Sequence, residues 1–126
     1  MPAALCALLL AALPATGALV AAEMRSLDDA VYARQQARSG KKLYEQYCSS
    51  CHERGYFRQV LRAREGEPLS ELFNVMVALM PQNAPGSLTD GEYVDVIAYI
   101  VADARYAPGR RRLRYADLPS ILIGGE

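Results

Sequence analysis

The stretch that decides the fold is Cys48-Ser49-Ser50-Cys51-His52, a C-x-x-C-H pentapeptide. Two thiols at this spacing can reach the two vinyl groups on one edge of a porphyrin, and the adjacent imidazole then lies under the iron. The pattern is typical of covalent attachment of a c-type haem. Cys48, Cys51 and His52 are therefore predicted to bind one haem, with His52 as a ligand of its iron.

The cysteine count bears on the other interpretations of the motif. The chain has three cysteines, and the one outside the motif, Cys6, lies in an apolar leader. No further thiol is therefore available to complete a four-cysteine zinc site with Cys48 and Cys51. A thiol–disulfide redox pair is one alternative, but that chemistry is typical of a thioredoxin-like βαβ pattern, which the neighbouring sequence lacks. A chance C-x-x-C beside the single histidine is the other alternative. We favour haem over both.

The first 22 residues carry no charged side chain and end in the small residues Ala21 and Ala22. This pattern predicts a secretory signal peptide over residues 1–22, and hence an exported, periplasmic protein. An uncleaved membrane anchor is the competing interpretation, because an apolar run of about 20 residues spans a bilayer. We favour cleavage, since Pro14 interrupts the run, and the cleaved chain then has no membrane span.

The length and charge of the chain limit its class. With 126 residues it is long enough for one small domain. Its formal net charge is zero, from 14 basic and 14 acidic side chains, so no overall basic field argues for nucleic acid. We therefore predict no nucleic-acid partner and expect local charge to select partners, since residues 65–104 contain acids but no Lys or Arg.

Composition divides the chain into three parts after the leader. Residues 23–38 are predicted to be a polar N-terminal extension, and residues 39–104 the main domain. Residues 105–126 form a tail that is first basic and then apolar. We expect the apolar end of the tail to fold back against the domain, with the docking of a partner as the alternative.

Apolar periodicity predicts three helices in the main domain. The first covers residues 40–47 and delivers Cys48 onto the haem. The second covers residues 71–79, with Ser70 as its N-cap. The third is opened by the capping-box spacing of Thr89 and Glu92 and runs to about residue 104.

A second iron ligand is expected downstream of the motif. A His-ligated haem that transfers electrons without binding oxygen needs one, and a methionine thioether is a common choice. Met80 directly precedes Pro81, which ends a helix by removing a donor and restricting its neighbour. We assign the distal ligand to Met80 rather than to Met76, whose place within the helix is typical of core packing. Met24 lies too close to the mature start.

Three arginines, Arg54, Arg58 and Arg62, recur four residues apart after the motif. In a helix they form a row of like charges, which is unfavourable unless the charges are paired. One or two of them are candidates to pair with the haem propionates, because guanidinium suits a carboxylate. A solvated face is the alternative, and we favour it for any single arginine.

These motifs together resemble a class I cytochrome c over about residues 39–104. In that family an N-terminal helix carrying a glycine crosses a C-terminal helix carrying an aromatic residue, and Gly40, Tyr44 and Tyr99 match those positions. The resemblance implies an all-α cytochrome c fold, with three to five helices packed around one covalently bound haem. The loop over residues 80–88 and the Leu- and Ile-rich tail are also similar to cytochromes c found with, or fused to, quinoprotein alcohol dehydrogenases.

The resemblance implies a function as well. His52 is then the proximal and Met80 the distal iron ligand, with thioether bonds from Cys48 and Cys51 to one haem c. Such a protein is a periplasmic one-electron carrier and not an enzyme, although it can be the electron-accepting subunit of a dehydrogenase complex. Its redox partners are a dehydrogenase donor and an oxidase or cytochrome acceptor. The alternative is a haem-based sensor or gas-binding module with a labile distal ligand.

Overall fold

The computed structural model describes Met1 and residues 23–124, and this part of the chain is mostly helical. It contains four α-helices: α1 (Arg34–Tyr47), α2 (Tyr56–Ala63), α3 (Leu69–Leu79) and α4 (Asp90–Asp103). Two short 3-10 helices lie outside them, Leu27–Asp29 and Tyr115–Ser120. Apart from Met1, the leader predicted over residues 1–22 lies outside the described residues.

The mostly helical structure agrees with the all-α expectation, and one feature adds to it. Two short strands, β1 (Arg25–Ser26) and β2 (Ile121–Leu122), pair in parallel, with Arg25 opposite Ile121. Strands of two residues are too short to show the alternation by which a strand is recognised in a sequence. The pair joins the two ends of the described chain, so it fastens the tail to the segment before α1.

The crossing of α1 and α4 is the central packing contact of the fold. Gly40 is buried at this crossing, and a Cβ atom there would collide with the backbone carbonyl group of Asp95. The ring centroids of Tyr44 and Tyr99 lie 5.0 Å apart beside it. The glycine and aromatic positions to which the resemblance pointed therefore meet in the structure.

Helix α1 begins earlier than predicted, at Arg34 instead of Gly40. Residues 34–38, the last part of the predicted extension, are thus its first turns. Arg, Gln and Ala are good helix formers, so this start agrees with local propensity. The misleading signal was Gly40, which looks like a helix boundary in the sequence but is required inside the helix by the close approach of α4.

The start of α3 also differs from the prediction. The helix begins at Leu69, and Pro68 takes the N-cap position without a side-chain cap, so Ser70 is not the cap. Proline has no N–H to satisfy at a helix start, and its fixed φ suits the entry into the helix. The predicted end at residue 79 agrees with the structure, where Met80 is the C-cap.

Helix α4 confirms the capping box. The side chain of Thr89 accepts a hydrogen bond from the N–H of Glu92, and the Glu92 carboxylate accepts one from the N–H of Thr89. Both bonds satisfy donors that the first turn of a helix leaves open. The buried stripe of this helix forms the centre of the core and consists of Tyr93, Val94, Val96, Ile97, Ala98, Ile100 and Val101.

The tail folds back on the domain. Leu118, Ile121 and Ile123 are almost fully buried in the core, so the apolar end does not serve a partner. The N–H of Ile123 donates to the carbonyl oxygen of Glu67 (2.8 Å), and its own carbonyl oxygen accepts from the N–H of Gly66 (2.8 Å). Among the described residues, no helix has the length and apolar character needed to cross a bilayer.

Candidate functional site

The C-x-x-C-H motif follows directly from the end of α1. The N–H of Cys48 donates to the carbonyl oxygen of Tyr44 (2.9 Å), which continues the pattern of the helix. The N–H groups of Cys51 (3.2 Å) and His52 (2.9 Å) then both donate to the carbonyl oxygen of Cys48. These bonds close the motif into a further turn, so residues three and four apart face the same side.

Met80 stands at the point where the chain leaves α3. Its N–H still donates to the carbonyl oxygen of Met76 (2.8 Å), but its own backbone is extended, with φ −128° and ψ 148°. The following Pro81 is buried and ends the helix as predicted. The Met80 side chain is half-buried, whereas Met76 is only 5% exposed and belongs to the core.

One cavity of about 340 Å³ brings the predicted haem-site residues together. Cys48, Cys51, His52 and Met80 all line it, and Met76 lines it too. The lining comes from two parts of the chain that are separated in sequence: Gln46, Tyr47, Cys48, Ser50, Cys51, His52 and Phe57 from the first, and Met76, Met80, Pro81, Gln82 and Asn83 from the second. Met24 is not among these residues and is exposed.

The chemistry of this lining fits a haem. Neither motif cysteine takes part in a disulfide with a described residue, and burial raises the pKa of the Cys48 thiol. Two thiols, an imidazole and a thioether are the groups needed to attach a haem covalently and to ligate its iron on both sides. Phe57 and Pro81 add apolar surface for the macrocycle. The lining contains no charged side chain.

Tyr44 fixes the backbone at the end of the motif. Its hydroxyl donates a hydrogen bond of 2.7 Å to the carbonyl oxygen of His52. Burial raises the pKa of Tyr44 to about 12, so the hydroxyl remains a donor. The sequence pointed to Tyr44 as a packing residue at the helix crossing, and the structure adds this polar role.

Tyr93 fixes the backbone at Met80, in the second part of the site. Its hydroxyl donates a hydrogen bond of 2.6 Å to the carbonyl oxygen of Met80, and the residue is 1% exposed. The sequence analysis placed Tyr93 only in the buried stripe of α4. The available signal was its hydroxyl, because a buried tyrosine among aliphatic residues usually has a hydrogen-bond partner.

Asp103, at the end of α4, holds the segment that follows His52. Its carboxylate accepts hydrogen bonds from the N–H of Gly55 (3.0 Å) and the Nε of Arg54 (3.3 Å), and its side chain is 9% exposed. The Nε of Arg58 donates to its backbone carbonyl oxygen (3.0 Å). An acid is unfavourable at a helix C-terminus, and this was the signal that Asp103 has specific partners.

Two of the arginines after the motif therefore have an ion-pair partner that the sequence analysis did not predict. Arg54 and Arg58 both interact with Asp103, which relieves the repulsion in their row. Neither lines the cavity that contains His52 and Met80. Their pairing with haem propionates stays a sequence-based prediction. The side chain of Arg54 is 85% exposed, as the solvated-face alternative expects, whereas that of Arg58 is only 35% exposed.

Aromatic rings pack around His52. The Tyr56 ring is stacked on the imidazole at 4.5 Å between centroids, with an interplanar angle of 29°. The Phe57 ring lies 5.4 Å away at a larger tilt. Both belong to the first turn of α2, which the sequence analysis noted only for its arginines.

The comparisons with known proteins agree with this chemistry. A family model described as "Cytochrome C oxidase, cbb3-type, subunit III" matches residues 35–100, which is more than half of the chain and contains all four predicted haem-site residues. No curated protein and no solved structure gives a significant match. The chain therefore belongs to this family of c-type cytochromes, which are electron-transfer proteins with covalently bound haem c and its iron.

Proposed function

We propose that the protein is an exported, periplasmic monohaem cytochrome c that carries one electron at a time. In this proposal Cys48 and Cys51 form the two thioether bonds, His52 is the proximal iron ligand and Met80 the distal one. The observation that carries the proposal is the cavity of about 340 Å³, which these four side chains line together although Met80 is far from the motif in sequence.

The bound haem would supply a one-electron iron couple. The imidazole of His52 and the thioether of Met80 would hold its iron, and a neutral thioether would favour the reduced state relative to a second imidazole. Tyr44 and Tyr93 hold the backbones that carry these two ligands, with bonds of 2.7 Å and 2.6 Å. Ligands held in this way move little when the charge changes, which suits electron transfer better than the binding of small molecules.

The rim of the cavity is proposed as the surface where redox partners dock. Exposed apolar side chains lie on it or next to it, including Tyr47, Tyr56 and Leu79, of which Leu79 is 57% exposed. Residues 72–89 carry no charged side chain, while acids are frequent in residues 65–104. Uncharged surface ringed by charge favours a small, transient interface that is reached by electrostatic steering.

The proposed donor is a dehydrogenase, with a quinoprotein dehydrogenase favoured by the likeness of the loop over residues 80–88. The proposed acceptor is an oxidase or another cytochrome, and the description of the matched family, which names an oxidase subunit, supports the oxidase. If charge steers the encounter, the rate of electron transfer with the true partner falls as ionic strength rises. A rate that does not depend on salt would contradict steering.

Replacement of the proposed distal ligand tests the function. In the haem-loaded protein, Met80→Ala is expected to abolish the weak methionine–iron charge-transfer band of the ferric form and to allow carbon monoxide to bind the ferrous form. Met76→Ala is the matched control, because Met76 lines the same cavity from within α3. We expect it to keep the band and to lose about 2–5 kcal/mol of stability through lost packing.

Two results would change the proposal. If Met76→Ala removes the band and Met80→Ala retains it, the ligand assignment is wrong. If the unaltered ferrous protein binds carbon monoxide rapidly, the distal ligand is labile and the sensor or gas-binding alternative replaces the carrier.

A further inference from the structure

A second cavity, of about 550 Å³, lies away from the haem site and is lined mainly by arginine. Its lining consists of Arg25, Ala30, Val31, Arg110, Arg111, Arg112, Arg114 and Asp117. Five arginines and one acid thus line it, in a protein whose formal net charge is zero. Like charges repel, so folding alone gives no reason to gather so many of the basic side chains at one place.

Only part of this charge is neutralised within the described residues. Arg112 pairs with Asp95 and Arg114 with Asp117, each at 2.8 Å or less. Arg25, Arg110 and Arg111 make no ion pair with any described residue. Arg25 only donates to the backbone carbonyl oxygen of Asp29 (3.1 Å). The cavity therefore has a positive excess at any pH at which the protein is folded, because arginine does not lose its proton.

The backbone that carries the arginines is fixed at two points. At the first, the N–H of Gly109 donates to the carbonyl oxygen of Tyr32 (2.7 Å), and a Cβ atom at Gly109 would collide with the carbonyl group of Ala30. Only glycine fits this close approach. The contact sets the start of the arginine segment directly against the chain that contributes Ala30 and Val31 to the cavity.

The second fixed point is Leu113. Its N–H and carbonyl oxygen both bond to the side chain of Gln36, each at 2.8 Å. Gln36 is 1% exposed and also donates to the carboxylate of Asp95 (2.9 Å), the partner of Arg112. A buried amide that is fully used in this way orders residues 110–114 before any ligand arrives. Such preorganisation lowers the entropy cost of binding.

The arginine cavity is separate from the haem cavity. The two share no lining residue. Val31 precedes α1 and Cys48 follows it, so the length of this 14-residue helix, about 21 Å, lies between them. The anion that these arginines suit is therefore not a propionate of the haem, and a partner seated there would not touch the proposed electron-transfer rim.

We propose that this cavity is a binding site for a small anion with at least two phosphate groups. The guanidinium fork matches phosphate oxygens in a bidentate manner, and several forks on one cavity favour a ligand with several such groups. A volume of about 550 Å³ lies within the range of small-ligand sites, roughly 300–1,000 Å³, whereas a protein partner would cover the rim and leave the concavity unfilled. The ligand is either a free phosphorylated molecule or the headgroup of a phospholipid.

Calorimetric titration of the haem-loaded protein with inorganic pyrophosphate tests the site, against sodium chloride at matched ionic strength. Arg110→Gln combined with Arg111→Gln is expected to weaken binding by about tenfold or more, since the pair removes two charged hydrogen-bond donors from the cavity. Arg38→Gln combined with Lys42→Gln is the matched control, because both side chains are exposed and lie outside the cavity and the two substitutions remove the same charge. Arg25→Gln, on a different segment, is expected to weaken binding as well.

A second arm identifies the source of the phosphate groups, with phosphatidylcholine vesicles that contain cardiolipin, a phospholipid whose headgroup carries two phosphate groups. Sedimentation with these vesicles and release by pyrophosphate would indicate a headgroup, and pyrophosphate binding without sedimentation would indicate a free ligand. The proposal is overturned if pyrophosphate does not bind, or if the control pair weakens binding as much as the cavity pair. The site is independent of the haem, so neither result alters the proposed electron carrier.

Discussion

The hydroxyl of Tyr93 lies 2.6 Å from the carbonyl oxygen of Met80 and donates a hydrogen bond to it. A matching bond joins the hydroxyl of Tyr44 to the carbonyl oxygen of His52 (2.7 Å). Tyr44 belongs to α1 and Tyr93 to α4, the two helices that cross at the centre of the fold. Each crossing helix therefore holds the backbone of one proposed iron ligand, and the geometry of the site depends on the core.

Tyr93→Phe is expected to loosen the Met80 segment. The substitution leaves a carbonyl oxygen without its donor, which costs about 1–3 kcal/mol where the group is buried. In the ferric haem-loaded protein, the methionine–iron band should disappear at lower temperature, and added imidazole should displace the ligand at lower concentration.

Tyr32→Phe is the matched control for this experiment. Tyr32 is buried, and its hydroxyl donates to the carbonyl oxygen of Tyr106 (2.7 Å). Neither residue lines the cavity that contains His52 and Met80. Tyr32→Phe should lower the global melting temperature without changing the affinity for imidazole. Equal effects of the two substitutions on imidazole binding would show that Tyr93 acts only through general stability.

Gly40→Ala is expected to destabilise the crossing of α1 and α4. The added methyl group would collide with the carbonyl group of Asp95, and backbone atoms move less readily than the end of a side chain. Overpacking of this kind costs about 1–3 kcal/mol or more in the free energy of unfolding, measured with denaturant. Gly91→Ala in the first turn of α4 meets no atom within 4 Å and should be neutral or stabilising by up to about 1 kcal/mol. A neutral Gly40→Ala would contradict the close helix contact.

Asp103→Ala is expected to release the segment after His52. The change removes the acceptor of the Gly55 N–H and the partner of Arg54, and it should cost about 1–3 kcal/mol because the carboxylate is largely buried. Hydrogen exchange at the Gly55 amide should become faster. Glu45→Ala is the control, since the Glu45 pair with Lys41 is exposed and is worth about 0–1 kcal/mol at most. Unchanged exchange at Gly55 would show that the segment is held by other contacts.

Asp117→Asn tests how pH acts on the tail. The hydrogen bond from Arg114 holds the pKa of the Asp117 carboxyl below its ordinary value of 3.8. Because the folded-state pKa is the lower one, the ion pair stabilises the fold above about pH 3.8, and this contribution is lost as pH falls through the folded-state pKa. The difference in unfolding free energy between the original protein and Asp117→Asn should be small but constant near neutrality and should vanish once the pH falls below the folded-state pKa. A difference that grows on acidification would contradict the depressed pKa.

Several features of the site were predictable because their causes are local. Pro81 ends α3 by its own covalent geometry, so the exit of Met80 from the helix followed from two adjacent residues. The capping box of Thr89 and Glu92 is also local, because its two residues lie three positions apart. The early start of α1 was missed for the opposite reason, because the close contact that requires a glycine at position 40 comes from α4, far away in the sequence.

The sequence by itself determined the C-x-x-C-H motif that is proposed to bind the haem, the methionine that leaves its helix, and the mostly helical character of the chain, since each depends on residues a few positions apart. Only the tertiary structure decided which groups hold these residues in place. Tyr93 and Met80, Asp103 and Gly55, and Gln36 and Leu113 are pairs whose members lie 13, 48 and 77 residues apart. The arginine cavity likewise needs Arg25 beside residues 110–114. Such contacts depend on how the chain folds back on itself, and no local pattern in the sequence encodes them.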